Sequence, residues 1–506
     1  MQDHQYYLEC TKHKTRQDLL LLVESCGLCR VAVSEICGSI LSSMAQTSSV
    51  RVLDSFHVSP PPGSVPTTSV PLSSFDLLWF PLRHVERLFF YKFPHPTSHF
   101  IETTLPLLKQ SLSLTLQRFY PYSANIMCPQ PPGKPYIRYI DGHDFIDFAV
   151  AESAADFDHV VADYPRDVKL LHPCVPRLRS AHVNEDGVRV LPVIAFQVTV
   201  FPNTGICIGS TYCHAIGDGQ SFMQLMRSWT SVYRSVGDLS CLDENSRPLF
   251  NRDVMKGPGG DMESDLYNIY RQWLSSCGEN STSTQDLAAD KVRATFVLSR
   301  AGAERLKHLV TAADDKHQCH ISTFVVTCAL MWVCLIKSKE IVTNNSSHDD
   351  KDKFYHFIFS FDCRNLLGFS IPTTYFGNCI IPGCISIKKS EAIGENGIIF
   401  VAKALGQRIK AMGSDWTDNG AKSFEEMTKG QFIGVAGSPK LRVYDTDFGW
   451  GRACKVELTH IDYDGATSMT EGRDGQGGIE AALALNNHQM DEFVTIFEQS
   501  LKLLSV

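Results

Sequence analysis

The order of apolar and polar positions divides the chain into strand-like and helix-like runs, from Val50 to about Tyr233 and again from Lys291 onward. HFIETTLPLLKQSLSLTLQRF, residues 99–119, repeats its apolar positions at helical spacing, with Pro106 tolerated only near the first turn. AFQVTVFPNTGICIGSTYC, residues 195–213, reads as two apolar strands joined at Pro202–Gly205, a hairpin with a four-residue turn. After it, Phe222, Leu225, Met226, Trp229 and Tyr233 recur at helical spacing, and Ser221 is placed to cap that helix. Residues 257–290, rich in Gly, Ser, Asp and Asn, read as a linker, and the polar stretch 339–353 reads as a mobile surface loop. The pattern predicts two α/β blocks, 44–256 and 291–506, joined by the linker 257–290. Residues 1–43 read as an extension outside both blocks, disordered or spurious, and there is no internal repeat.

Composition narrows the class. A chain of 506 residues with 43% hydrophobic and 20% charged residues has enough apolar surface for substantial cores. Its net charge of −8 argues against a nucleic-acid partner. No apolar run approaches the ~18 residues of a membrane span, so no membrane partner is expected. The 17 cysteines are odd in number and scattered, and only Cys26–Cys29 has C-x-x-C spacing. They read as reduced thiols of a cytoplasmic protein, and the sequons at Asn280 and Asn345 then carry no weight. His317–His320, HQCH, lacks the matching second set a zinc site needs, so no metal is expected.

The chemistry concentrates in STYCHAIGDGQSFMQLMRSW, residues 210–229. His214 falls where the second hairpin strand ends, and Gly217 and Gly219 suit the sharp turn into the helix. A neutral imidazole on such a loop can take a proton from a hydroxyl as that oxygen attacks a carbonyl, then return it to the leaving group. Asp218 has two readings, a hydrogen bond to the ring or a pairing elsewhere that shapes the loop; the spacing favours the second. No serine or cysteine has the setting of a nucleophile elbow, and Cys213 points to the opposite strand face, so a covalent intermediate is not expected.

A second segment, YDTDFGWGRACKVE at Tyr444–Glu457, places D-F-G-W-G more than 200 residues after H-x-x-x-D-G. The two motifs in this order resemble the plant BAHD acyltransferases, which move acyl groups from coenzyme A thioesters to alcohols or amines. YFGNC at Tyr375–Cys379, together with VERLFFY, ISTFVVTCALMWVCLIK and VAGSPKLRVYDTDFGWG, resembles the clade acting on anthocyanin and other flavonoid glycosides. The resemblance implies two similar-sized α/β domains of the chloramphenicol-acetyltransferase type with a solvent channel between them. It implies a monomer with no permanently bound cofactor. Malonyl-CoA or hydroxycinnamoyl-CoA would be the donor, malonyl slightly favoured, and a phenolic or anthocyanin glucoside the acceptor.

The resemblance also assigns roles. His214 would be the general base. Asp447 would be catalytic or, by preference, structural through a salt bridge and the packing of Trp450, with Phe448, Gly449 and Gly451 completing that turn. Arg364 in DCR would pair with Asp218. Arg87, Arg293 and the helix start at Ser322–Thr323 match places where the family gathers contacts to coenzyme A phosphates, to which basic groups and helix N-termini are suited. The chain departs from the family pattern at Cys213, Leu366, Ala453 and Ala124, none of which is a proposed catalytic group. A binding protein without turnover, or a hydrolase using the same histidine on water, are the rival readings.

Overall fold

The computed structural model describes residues 50–503, except 245–246, 256–259, 277–289, 315–318, 344–352, 366–370, 413–431 and 464. Residues 1–43, the C-x-x-C pair, both sequons, Leu366 and part of HQCH lie outside the described residues.

The strands form three sheets. The first runs, edge to edge, Arg51–Val58, Ile146–Glu152, Ile194–Phe201, Gly205–Tyr212, Val85–Lys92 and Lys455–Leu458. The second runs Ile380–Lys388, Phe354–Asp362, Phe432–Ala436, Thr467–Glu471, Ile479–Asn486, Lys291–Leu298 and Arg166–Asp167. A smaller third sheet spans Thr68–Pro71, Tyr136–Tyr139, Asn125–Cys128, Arg189–Pro192 and His182–Val183. Each large sheet therefore takes its last strand from the other half of the sequence. Lys455–Leu458 pairs with Val85–Lys92, and Arg166–Asp167 pairs with Lys291–Leu298.

Burial explains the sequence patterns. Both hairpin strands are buried along their whole length, with Gln197 and Thr199 among the buried positions of the first. One face of the first sheet packs beneath the helices Leu105–Leu116 and Gly219–Arg234, joined by Trp229 Nε1 donating to Leu108 O at 3.2 Å. Thr323–Val342 is apolar all round because it lies inside the core of the second sheet, among Gly397–Met412 and Asn487–Leu503.

Three sequence expectations are corrected. Phe201 pairs directly with Gly205, so the hairpin turn has three residues, Pro202–Thr204, with Asn203 at φ 62°. Asp218, not Ser221, caps the helix Gly219–Arg234, because its carboxylate accepts the Ser221 amide at 3.0 Å. The expected linker 257–290 carries a helix over Gly260–Ser276, whose Tyr270 is buried in the core of the first sheet.

Buried charge ties the two sheets together. Glu457, on the strand lent to the first sheet, accepts from Arg166 and from Arg293 Nε at 2.8 Å. Arg293 also pairs with Asp462 and donates to Ser468 Oγ at 3.0 Å. Lys455 reaches Asp163 at 2.6 Å, and Arg473 reaches the same carboxylate at 2.6 Å. No described helix is long and apolar enough to cross a membrane, and among the described residues no cluster of three His, Cys, Asp or Glu side chains is placed to hold a metal ion.

Candidate active site

His214 opens a single 3₁₀ turn, His214–Ile216, between the end of the inner strand and the Asp218 helix cap. Cys213 before it is buried and its thiol is pushed up to about 11 by that burial, which removes it as a nucleophile at neutral pH. Burial likewise lowers the pKa of the His214 ring below 6.5; its own carbonyl, Asp218, Asn378 and Asp76 oppose the shift. The imidazole is therefore a neutral base at physiological pH. Its Nδ1 is buried without a well-formed hydrogen bond.

Asp218 does not bond the ring. Its Oδ1 accepts the Ser221 amide and hydroxyl, at 3.0 and 3.2 Å. Its Oδ2 accepts Arg364 Nη2 at 2.8 Å and the Cys379 amide at 3.1 Å. Arg364, from the second sheet, thus makes the contact with Asp218 expected from sequence. Gly217 and Gly219 serve close packing rather than unusual backbone angles. A Cβ at Gly217 would sit 3.0 Å from Ser221 Cβ, and one at Gly219 would sit 2.9 Å from Leu441 Cδ1.

The loop Phe376–Cys379 closes the site from the second sheet. Gly377 O accepts Ser221 Oγ at 3.0 Å and the Asp218 amide at 3.3 Å. Gly377 has φ +146°, and a Cβ there would lie 2.5 Å from Arg252 Nη1, so only glycine fits. Asn378 Nδ2 donates to His214 O at 3.0 Å and to Asp76 Oδ1 at 2.9 Å. Asp76 also accepts the Asn378 amide at 2.9 Å and closes a capping box with Ser73, while Arg252 Nε lies 3.3 Å from its other oxygen. Three residues on, the Trp79 indole stacks on His214, ring centres 4.4 Å apart and planes 15° apart.

Asp76, Trp79, Arg252 and Asn378 were not singled out from the sequence. The signals were there in part: Ser73-x-x-Asp76 is a capping-box pattern, and Asn378 sits inside YFGNC. Nothing in the text joins either of them to His214.

The remaining sequence-predicted residues lie elsewhere. Asp447 Oδ1 accepts the amides of Gly449 at 2.6 Å and Gly451 at 3.0 Å, closing its own turn, and among the described residues no cation pairs with it. The salt bridge expected for it is replaced by these amide bonds. Both glycines have φ near +100°, which this turn demands. Phe448 packs edge-on against Trp229 and Tyr91, and Trp450 against Tyr233, pinning the turn to the helix behind His214.

The coenzyme A contact expected at Arg293 is corrected. Arg293 is fully buried and committed to Glu457, Asp462 and Ser468, so no phosphate reaches it. Arg87 is 3% exposed, with Nη1 3.4 Å from Met223 Sδ and its guanidinium over the Phe222 ring. Ser322 caps the helix Thr323–Val342 by accepting the Val325 amide at 3.3 Å.

The mixed α/β fold that brings the His214 turn to the meeting of two large sheets is of the coenzyme A acyltransferase type. Vinorine synthase has this fold, with a TM-score of 0.63 at 18% identity over 88% of this chain and 96% of its own. So does a TRI101 of F. sporotrichioides, solved with coenzyme A and T-2, with a TM-score of 0.56 at 14% identity over 86% and 98%. The chain belongs to the Transferase family, the BAHD acyltransferases, whose model matches residues 50–500. It is similar to Arabidopsis thaliana coumaroyl-CoA:anthocyanidin 3-O-glucoside-6''-O-coumaroyltransferase 1, with 38% identity over 89% of this chain and 97% of that protein. It is also similar to Dahlia pinnata malonyl-coenzyme A:anthocyanin 3-O-glucoside-6''-O-malonyltransferase, with 35% identity over 90% and 98%.

Proposed function

We propose that this acyltransferase moves a malonyl or hydroxycinnamoyl group from its coenzyme A thioester to a sugar hydroxyl of a phenolic or anthocyanin glucoside. The observation that carries this reading is a neutral His214, held from behind, in a chain about a third identical over most of its length to glucoside acyltransferases. The base is Nε2, since Nδ1 is buried against the protein. Nε2 takes the proton of the sugar hydroxyl as its oxygen bonds to the thioester carbonyl carbon. The carbonyl π pair moves onto oxygen. When the carbonyl re-forms, the C–S bond breaks and His214 returns the proton to sulfur, so ester and free coenzyme A leave together.

Asp218 and Arg364 hold the histidine loop without touching substrate. Asp447 is structural, through the turn it closes. A solvent channel carries donor and acceptor to His214 from opposite faces. The donor's phosphates are met at the helix start Ser322–Thr323 rather than at Arg293, whose guanidinium is committed to Glu457, Asp462 and Ser468. We place the protein in the cytoplasm as a monomer, with acyl-CoA and glucoside as its partners and no bound cofactor.

The test is a donor competition. The purified chain meets equal malonyl-CoA and p-coumaroyl-CoA with a panel of phenolic and anthocyanin glucosides, beside His214→Ala. Acceptor-dependent thiol release that is lost in the variant is expected, and product mass names the acyl group. Full activity in His214→Ala overturns the assignment of the base. Thiol release indifferent to any acceptor makes the protein a thioesterase.

A further inference from the structure

The reaction above develops negative charge on the thioester oxygen, and that oxygen needs a donor in place before the charge forms. We infer that the Trp79 indole N–H supplies it, which rests on the acyl-transfer reading of His214. Trp79 is buried, and its Nε1 has no hydrogen-bond partner among the described residues. An indole N–H only donates, so the atom that satisfies it must be an acceptor. A buried donor left unpaired is costly, and its persistence beside a reaction centre calls for an absent ligand atom.

Position separates Trp79 from the other unpaired donors. Arg87 Nε, Arg252 Nη2, Arg364 Nε, Tyr122 Oη, Tyr375 Oη and Trp332 Nε1 are also buried without partners. Of these residues and Trp79, only Trp79 stacks on His214 among the described ring contacts, at 4.4 Å and nearly parallel. An oxygen nucleophile hydrogen-bonded to Nε2 is the atom that attacks the carbonyl, so the carbonyl arrives next to the imidazole, just beyond that oxygen. The indole stacked on that imidazole is therefore the ring beside which the carbonyl arrives. A neutral donor also suits the site, because a cation at the same place would depress the basicity of His214 further.

The indole is preorganised through the same carboxylate that holds His214. Asp76 closes the capping box of the turn leading to Trp79, and it accepts both nitrogens of Asn378, whose Nδ2 also donates to His214 O. Base and donor are thereby fixed to one buried point. As the tetrahedral adduct forms, the carbonyl oxygen shortens its bond to Trp79 N–H. As the adduct collapses, the lone pair re-forms C=O, the thiolate departs and the hydrogen bond relaxes.

Trp79→Phe keeps a ring against His214 and removes the donor together with part of the indole's bulk. We expect kcat to fall ~100-fold, within the range for loss of one oxyanion donor, with KM for both substrates changed less than about threefold. The acid limb of the pH profile should remain where the wild type has it. A benzothienylalanine at position 79, with sulfur in place of N–H and nearly the same shape, should lose activity to the same extent. This guards against a repacking effect of the smaller ring. Acceptor-independent hydrolysis of the donor passes through the same oxyanion and should fall in parallel. Retention of kcat within about threefold in the benzothienyl variant, or a loss confined to acceptor KM, overturns the assignment. Failure of the parent reading shows separately, as a His214→Ala variant that keeps its rate.

Discussion

Arg364 Nη2 stands 2.8 Å from Asp218 Oδ2, joining two buried groups 146 residues apart across the junction of the two large sheets. The same Asp218 oxygen accepts the Cys379 amide, while the other caps the helix behind the base. The histidine loop therefore takes its shape from the second sheet as well as from its own.

Breaking that pair leaves a buried carboxylate without its cation. Arg364→Ala should cost about 3–5 kcal/mol, seen as a marked fall in Tm, because the desolvated Asp218 is left uncompensated. Arg364→Lys should recover part of the stability and less of the activity, since an ammonium cannot reproduce the guanidinium fork. Thermal melts and kcat measured on the same preparations check both.

The pH profile follows from burial of His214. Its folded pKa lies below 6.5, so the neutral base persists below pH 6.5 and kcat/KM should fall only as pH drops through that lowered value. Protonation also opposes folding, because the unfolded ring binds a proton more readily than the buried one. The contribution of His214 to stability is therefore lost on the acid side, beginning below the ordinary 6.5. A kcat/KM profile in which the acid limb lies at or above 6.5 contradicts this reading of the site.

Asn378 holds the His214 carbonyl and the Asp76 carboxylate with one amide. Asn378→Ala should lower kcat by about 10- to 100-fold, as loss of a group orienting a functional side chain does, with smaller changes in KM. Asn378→Asp should be worse, since it puts a second carboxylate against Asp76. Steady-state kinetics with far-ultraviolet circular dichroism separates lost positioning from lost folding.

Arg293 discriminates a structural role from a coenzyme A contact. Arg293→Met should lower Tm strongly, by the ~3–5 kcal/mol of a broken buried ion network, while the surviving folded enzyme keeps its KM for acyl-CoA. Although burial alone would raise it, Arg293, Lys455 and Arg166 hold the Glu457 carboxyl well below its ordinary value of 4.5. That stabilisation is complete above about 4.5 and disappears as pH falls toward the folded pKa, so the wild type should lose more stability in acid than the variant. Melts carried from pH 7 to well below pH 4.5 report it.

Asp447→Asn should leave kcat per folded molecule close to wild type and lower Tm. Its carboxylate satisfies two amides in a turn pinned by Phe448 and Trp450, away from the base. A large fall in kcat with unchanged Tm would make Asp447 catalytic after all.

The local text was enough for the elements that hold His214. The apolar hairpin strands, the helix carrying Phe222, Leu225, Met226, Trp229 and Tyr233, and the turn around Asp447 depend on neighbours within a few residues. Periodicity, glycines and motif order record such short-range requirements directly, and with them the family. What surrounds the base comes from distant segments. Asp76, Trp79 and Asn378 meet the His214 turn only in the folded chain, and the Arg364–Asp218 contact that the family resemblance implied is made where the second sheet meets the first. The arginines at 87 and 293 look like solvent-facing charges in one dimension, and only packing shows them buried. Long-range pairing leaves no periodic trace, since any residue of suitable chemistry satisfies it once the fold supplies the place. Sequence thus determined which chemistry this chain carries, and tertiary structure decided which groups hold it in position.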